Sequence, residues 1–325
     1  MSAVPRRLGR VIVLSEGRPR HGSRWDPALE RVLAGRTLSV AFQPILKRQP
    51  AADGAARWRV ASAEALVRAS DGRGSTLRPD KLLPLIERAG LMHRLFLFVL
   101  AEALAAARSW ERDAGARLEL SINLHVGALL DDALPNFLLG LLDAAGFAPQ
   151  RLTLELTESA PIEDLQHAAA NLHRLRKAGV RAALDDFGAG FSTTTRLAWL
   201  ECDELKIDRA LVQGLERSEE QRCVVEHLIA LAHSHGMSAC AEGVETDAAL
   251  RLLSAFGCDR AQGYLIAKPQ TADALPAAIR DWQRRGGEWG TAGSGQMSLP
   301  GLFADVDVDV DGELGACLPV ANAIA

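Results

Sequence analysis

The sequence predicts an α/β chain folded as a (β/α)8 TIM-like barrel, and three observations carry that reading. Strand-like apolar runs recur eight times, nearly all separated by stretches of helical period. Those runs end on polar or charged residues with unusual regularity, as expected where strands deliver side chains to one mouth. No glycine-rich phosphate loop follows the first strand, which disfavours the alternative, an open doubly wound sheet.

Taken in order, Pro27 suits the first turn of a short helix through Leu33. Leu38 to Ile45 and Trp58 to Val67 read as the first two strands. Pro79 to Ala89 and Arg94 to Arg112 read as helices, with Gly90 as the cap between them. Leu118 to Asn123 is a strand, helical material runs to Ala145, and Arg151 to Leu156 is the next strand. Pro161 opens a helix whose Leu165, Ala168, Leu172 and Leu175 share one face, and Gly179 closes it. Strands follow at Arg181 to Asp185, Asp203 to Lys206, Met237 to Ala241 and Asp259 to Gln262. Helices are expected at Glu219 to His235, Asp247 to Phe256 and Ala272 to Arg284.

The chain divides into a basic flexible arm (1–26), a barrel (27–286) and a flexible tail (287–325). Its 325 residues, 48% hydrophobic, suffice for one large core, and the net charge of −4 points to no polyanionic partner. The five cysteines lack CxxC spacing and read as reduced thiols of a cytoplasmic protein. No apolar run approaches the roughly 20 residues of a membrane span. Asp305 to Gly312 imitates the start of a calcium loop, but Leu318 stands where the bidentate Glu is required. Gln296 to Pro300 has the look of a short peptide ligand, a kind of string common in tails.

The stretch from Ala182 to Ser192 is the centre of the functional reading. An apolar run ends in Asp185 and Asp186, and Gly188 and Gly190 follow. Neighbouring strand residues point to opposite faces, so both carboxylates reach one site only if the backbone bends, which the glycines permit. Alone, the segment is equally an Asp-rich turn. Other strand ends decide the matter: Glu64, Asn123, Glu155, Lys206, Glu242 and Gln262 occupy corresponding positions. Desolvating that many charges costs several kcal/mol each without compensation. On one mouth they form a hard-oxygen cavity suited to Mg²⁺ or Mn²⁺, and five carboxylates balance two divalent cations plus Lys206.

Glu64-Ala65-Leu66-Val67-Arg68 resembles the signature of the EAL-domain cyclic-di-GMP phosphodiesterases. Gln43-Pro44-Ile45, Ser121-Ile122-Asn123-Leu124, Glu155-Leu156-Thr157-Glu158, Asp185-Asp186-Phe187-Gly188, Leu205-Lys206-Ile207-Asp208, Ala241-Glu242-Gly243-Val244-Glu245 and Gln262-Gly263-Tyr264 match the family's motifs in order. The resemblance covers roughly residues 27–286 and implies a barrel with one antiparallel strand.

By that resemblance, Glu64, Asn123, Glu155 and Asp185 hold one metal. Asp185 bridges to a second, supported by Asp186 and Glu242. Lys206 holds or activates the attacking water, with Glu64, Asp186 and Glu242 completing the catalytic set. Gln43, Leu66, Arg68, Asn123 and Gln262 face the substrate, and Glu158 stabilises the loop after Asp186. The resemblance also implies hydrolysis to linear pGpG, a homodimer, and regulation through the tails or a separate sensor protein. Two cations about 4 Å apart lower the pKa of a water and stabilise both oxygens of an in-line displacement. The alternative readings are a non-catalytic cyclic-di-GMP receptor, a barrel enzyme acting on another phosphate ester, and a protein-interaction module, which would leave the mouth carboxylates unexplained. Two positions depart from the family: Ala69, expected to loosen packing behind Arg68, and His125, expected to be a loop or helix-start histidine and not an extra ligand.

Overall fold

The computed structural model describes residues 38–50, 56–70, 76–157, 164–188 and 200–286. The expected arm, the Pro27 helix, Glu158, Pro161, Gly190 and the tail with its Asp-rich stretch lie outside the described residues.

Eight strands close a barrel, and a ninth, very short one borders it. These are β1 (Leu38–Pro50), β2 (Ala56–Ser70), β3 (Thr76–Leu77), β4 (Glu119–Leu124), β5 (Leu152–Thr157), β6 (Arg181–Phe187), β7 (Glu204–Ile207), β8 (Ser238–Ala241) and β9 (Arg260–Gln262). Their order is β1-β9-β8-β7-β6-β5-β4-β2-β3, closed by pairing of β1 with β2. β1 runs antiparallel to both β2 and β9, while β2 and β4 through β9 run parallel. The reversed strand is therefore β1, and β3 is an antiparallel fringe on β2.

Helices α1 (Pro79–Arg88), α2 (Met92–Ala114), α3 (Leu134–Ala144), α4 (Leu165–Lys177), α5 (Arg209–Val212), α6 (Glu219–Ser234), α7 (Asp247–Ala255) and α8 (Leu275–Gly286) supply the outer layer. The largest, α2, presents Leu95, Leu100, Ala103, Ala107 and Trp110 to the core. Trp110 meets Phe42 of β1 edge to face at 4.9 Å and donates its indole N–H to the Ala272 carbonyl at 2.7 Å. Each such fully buried apolar side chain contributes roughly 1.5–3 kcal/mol. Asp164, Ser218 and Thr246 cap α4, α6 and α7 by accepting from backbone N–H groups of the first turn.

Several expected boundaries moved, most of them by one to three residues. β1 and β2 extend well beyond Ile45 and before Trp58, because a bulge between Ile45 and Leu46 lets the ribbon continue with Lys47, Gln49, Arg57 and Arg59 facing solvent. The strand expected to begin at Asp203 begins at Glu204. Asp203 instead accepts from the Ala182 N–H at 2.9 Å and from Arg176 at 2.7 Å, tying the foot of β6 to α4.

The barrel floor is polar. Arg260 at the start of β9 bonds Glu119 Oε2 at 2.7 Å, Glu204 Oε2 at 3.0 Å and Ser62 Oγ at 3.0 Å. Arg181 reaches the same Glu119 oxygen at 2.5 Å. These charges cancel in pairs, so the floor is a neutral plug, and the unbalanced charge lies at the other end.

Candidate active site

The parallel strands deliver their C-terminal residues to one mouth, and there the sequence-predicted carboxylates converge. Register sets Gln43 opposite Glu64, Asn123 beside Glu155, and Ile45 opposite Gln262. The chain passes several of these positions before each strand ends: β4 continues to Leu124, β6 to Phe187 and β7 to Ile207.

Lys206 is the hub. Its side chain is 1% exposed, and its ammonium lies 2.6 Å from Glu242 Oε1, 2.9 Å from both Glu155 Oε2 and Asp185 Oδ1, and 3.9 Å from Glu64 Oε2. Glu64 also accepts from Asn123 Nδ2 at 3.0 Å and from Gln262 Nε2 at 2.7 Å. Gln262 donates in addition to Gln43 Oε1 at 3.2 Å, and Gln43 donates to the Ala267 carbonyl at 3.2 Å. Asn123 has turned its amide nitrogen to Glu64, which leaves its carbonyl oxygen for a cation.

Asp186 joins the group through its own backbone. Its φ is 55°, the one left-handed value outside glycine among the described residues. The ladder between β6 and β7 shifts at the same place, between Leu184 and Phe187. This bulge turns two adjacent side chains to one side, so oxygens of Asp185, Asp186 and Glu242 all lie within 4.8 Å of one another. The bend is thus made at the carboxylate itself; the expectation had assigned it to the glycines that follow. Aspartate tolerates this conformation better than most residues.

The electrostatics record an excess of negative charge. Burial, followed by the charge of Glu64, drives Glu155 well above the usual carboxylate range against the pull of Lys206. Burial, then Asp185 and Glu64, push Glu242 up to about 8 although Lys206 opposes them. Burial and Asp185 raise Asp186 to about 6. Glu64 differs: burial raises it, but Lys206, Gln262 and Asn123 outweigh that and hold it low. Burial alone would lower Lys206, yet four carboxylates raise it and keep the ammonium charged.

The residues fit divalent cations. Glu155 Oε1 and Gln262 Oε1 are buried without a hydrogen-bond partner, an expensive arrangement unless something electropositive meets them. Five carboxylates against one ammonium leave four negative charges, the charge two divalent ions carry.

Leu66 and Arg68 follow Glu64 on alternate positions of β2 and are half-buried at the rim. Ala69 is buried on the opposite face, in the apolar core, so it does not back Arg68. His125 caps a short 3-10 turn by accepting from the Gly127 N–H at 3.2 Å, and its other nitrogen meets Glu87 at 3.3 Å.

Sequence reasoning assigned no role to Asp208. It caps α5 through the Ala210 N–H at 2.7 Å, and its charge helps to raise the Asp186 carboxyl. Its place two residues past Lys206, before a helix, was the available signal.

A (β/α)8-type barrel with a cation-ready carboxylate mouth defines a class suited to metal-assisted phosphate-ester chemistry. The chain belongs to the EAL domain family, whose model matches residues 26–269. The EAL domain is a cyclic-di-GMP phosphodiesterase family whose enzymes use divalent metals. The chain is 34% identical over 227 residues to the "Cyclic di-GMP phosphodiesterase PA2567" of Pseudomonas aeruginosa, covering 70% of this chain and 38% of that one. A solved "PaMucR Phosphodiesterase, c-di-GMP complex" superposes with a TM-score of 0.67 at 30% identity, covering 76% of this chain and 97% of the other. A calcium and cyclic-di-GMP complex of Klebsiella pneumoniae BlrP1 superposes with a TM-score of 0.60 at 29% identity, covering 77% and 58%. The chain spans about a third of the length of the curated relatives it matches. No helix among the described residues is long and apolar enough to cross a membrane.

Proposed function

We propose that this chain hydrolyses cyclic-di-GMP to linear pGpG in a reaction that needs two divalent cations. The observation that supports it most is the convergence of five carboxylates, one ammonium and two orphaned acceptor oxygens on a single mouth. Glu64, Asn123, Glu155 and Asp185 would hold one Mg²⁺ or Mn²⁺, and Asp185, Asp186 and Glu242 the other, with Asp208 steadying Asp186. Such ions, when bound, acidify water and offset charge on the phosphoryl oxygens.

The remaining work belongs to the protein. Arg68 at the rim offers a planar fork to a non-bridging phosphate oxygen. Gln43 and Gln262, locked to each other and to Glu64, fix the inner edge of the substrate. Leu66 supplies the apolar wall beside them. Lys206, ringed by carboxylates, acts as a fixed positive charge that attracts the attacking water and orients its oxygen. The water oxygen bonds phosphorus as the P–O3′ bond breaks, and its proton ends on the departing O3′, leaving a 5′-phosphate on the linear product. Cys202, Cys223, Cys240 and Cys258 are free thiols, in keeping with a cytoplasmic setting. A homodimer is the proposed assembly, to be read by light scattering.

Chromatography of the nucleotide products decides the matter. Purified protein with Mg²⁺ or Mn²⁺ should convert cyclic-di-GMP to pGpG, EDTA should stop it, and Glu64→Ala should abolish it. Intact cyclic-di-GMP in either metal would sink the reading, and binding without turnover would point to a receptor.

A further inference from the structure

The outward side of α3 carries a seam without charge. Ala133, just before the helix, and Phe137, Gly140 and Ala144 within it share one side and are all exposed. Phe137, 44% open, is one of three large apolar side chains left in water among the described residues. Single exposed apolar groups are ordinary, but a continuous seam of them marks a contact surface. The inner side of the helix is fully used, with Leu134, Leu138 and Leu142 buried in the core, so the seam is not needed to hold α3 on the barrel. Gly140 is the second anomaly. It stands in the interior of the helix, where glycine is weaker than alanine. Nothing lies within 4 Å of the place an added Cβ would take, so no packing within the chain calls for it. Glycine here serves a close approach from outside.

The seam is complementary to itself. A second α3 laid antiparallel, with the two-fold axis between Leu138 and Leu139, sets Phe137 of each copy over Gly140 of the other, and Ala133 over Ala144. The largest side chain of the seam then meets the one position that has none. Charge agrees with this arrangement. Asp131 and Asp132 stand exposed just before the helix, the Asp132 side chain 77% open. At the other end the exposed Arg108 donates to the carbonyls of Ala145 and Ala144 at 2.7 and 3.4 Å. Antiparallel pairing brings each Arg108 to the acidic pair of the other copy, whereas parallel pairing would oppose like charges. On one flank, exposed Asp143 comes level with Arg174 of the other copy, which reaches Asn136 at 3.4 Å.

We propose that two copies of this chain pair through α3, as an antiparallel helix pair centred between Leu138 and Leu139. The proposal rests on the homodimer reading above and names the surface on which the copies meet. The contact is built on one 11-residue helix. An interface this small makes a reversible dimer, with a dissociation constant on the order of micromolar.

Sedimentation equilibrium of the full chain over a wide concentration range tests it, with monomer giving way to dimer as the chain is concentrated. Phe137→Arg should weaken the dimer by roughly 30-fold or more, as loss of a central anchor does. Gly140→Gln, a better helix former without charge, should raise the thermal midpoint of the dilute chain and yet weaken the dimer. Arg108→Glu should weaken it roughly fivefold, because two exposed ion pairs are lost at once. All three positions are exposed, so each variant should fold, as its thermal midpoint will show. Any of the three pairing as tightly as wild type overturns the α3 contact and leaves a homodimer joined elsewhere. A wild-type chain that stays monomeric at every concentration overturns both. Neither result bears on cyclic-di-GMP hydrolysis, which product chromatography reads separately.

Discussion

Lys206 and Glu155 form an ion pair sealed from solvent, with Nζ 2.9 Å from Oε2 and side-chain exposures of 1% and 0%. The pair is lopsided, because Glu155 has one partner in Lys206 while Lys206 is shared among four carboxylates. Charge is therefore not balanced within the pair but across the whole mouth. Without cations, Glu155 is a buried acid in a negative field. Glu155→Gln removes that repulsion at nearly constant shape, so in EDTA the variant should melt no lower than wild type. A fall of several degrees in its thermal midpoint would refute this account of the site.

The reverse holds for Lys206→Met. Removing the one ammonium leaves the carboxylates uncompensated, and breaking a buried pair in this way costs about 3–5 kcal/mol. Urea unfolding in EDTA should show that loss, and turnover should vanish with it. A variant as stable as wild type would mean that the ammonium is not the hub of the mouth.

Divalent ions should stabilise the folded chain by mass action. At a hundredfold excess over the dissociation constant the gain is about 2.7 kcal/mol per site. Mg²⁺ or Mn²⁺ should raise the melting temperature of wild type, EDTA should reverse it, and Glu155→Gln should blunt the rise. An unchanged midpoint across the titration would remove the case for a metal centre.

Gly263→Ala tests the frame beneath the site. The methyl group would meet the Val244 nitrogen and carbonyl oxygen at 2.3 and 2.0 Å, and backbone atoms cannot swing aside as a side chain can. Overpacking typically costs 1–3 kcal/mol, and a clash with backbone should reach at least about 2. Loss of cyclic-di-GMP binding should accompany it. A variant with the wild-type denaturation midpoint would show that Gln262 and Tyr264 are not pinned in this way.

Part of the acid sensitivity should originate on the floor. Burial raises the Glu119 carboxyl, but Arg260 and Arg181 outweigh burial and hold it below the usual range. A lowered folded pKa contributes stability that is present above the unfolded value, about 4.3, and is lost as pH falls through the folded value. Glu119→Gln should therefore flatten the stability profile below about pH 5, where wild type loses stability. The measurement is urea unfolding at stepped pH with EDTA present. Parallel wild-type and variant curves on the acid side would refute the assignment.

Much of this was legible in the chain because the signals are local. Gly90 and Gly179 adopt φ of 69° and 100° just past the helices they were expected to close. The strand-end polar residues met because barrel topology converts a sequence position, the end of a parallel strand, into a spatial one. What escaped was non-local or depended on register. The extension of β1 and β2 past charged residues needed a ribbon partner to reveal its alternation. Ala69 was placed behind Arg68 although adjacent strand residues face opposite sides. The bend that joins Asp185 to Asp186 was assigned to flexible glycines, yet it arises where β6 and β7 fall out of step, which no single strand discloses.

The amino-acid order by itself determined the alternation of strand and helix, the family motifs and the identities of the groups at the mouth, since each depends on neighbours a few residues apart. Only the tertiary structure decided that one ammonium is shared among four carboxylates, that Asp186 turns through a left-handed backbone, and that Gln262 ties Glu64 to Gln43. Those depend on distances across the barrel, which are set when eight strands close and fix one another's register.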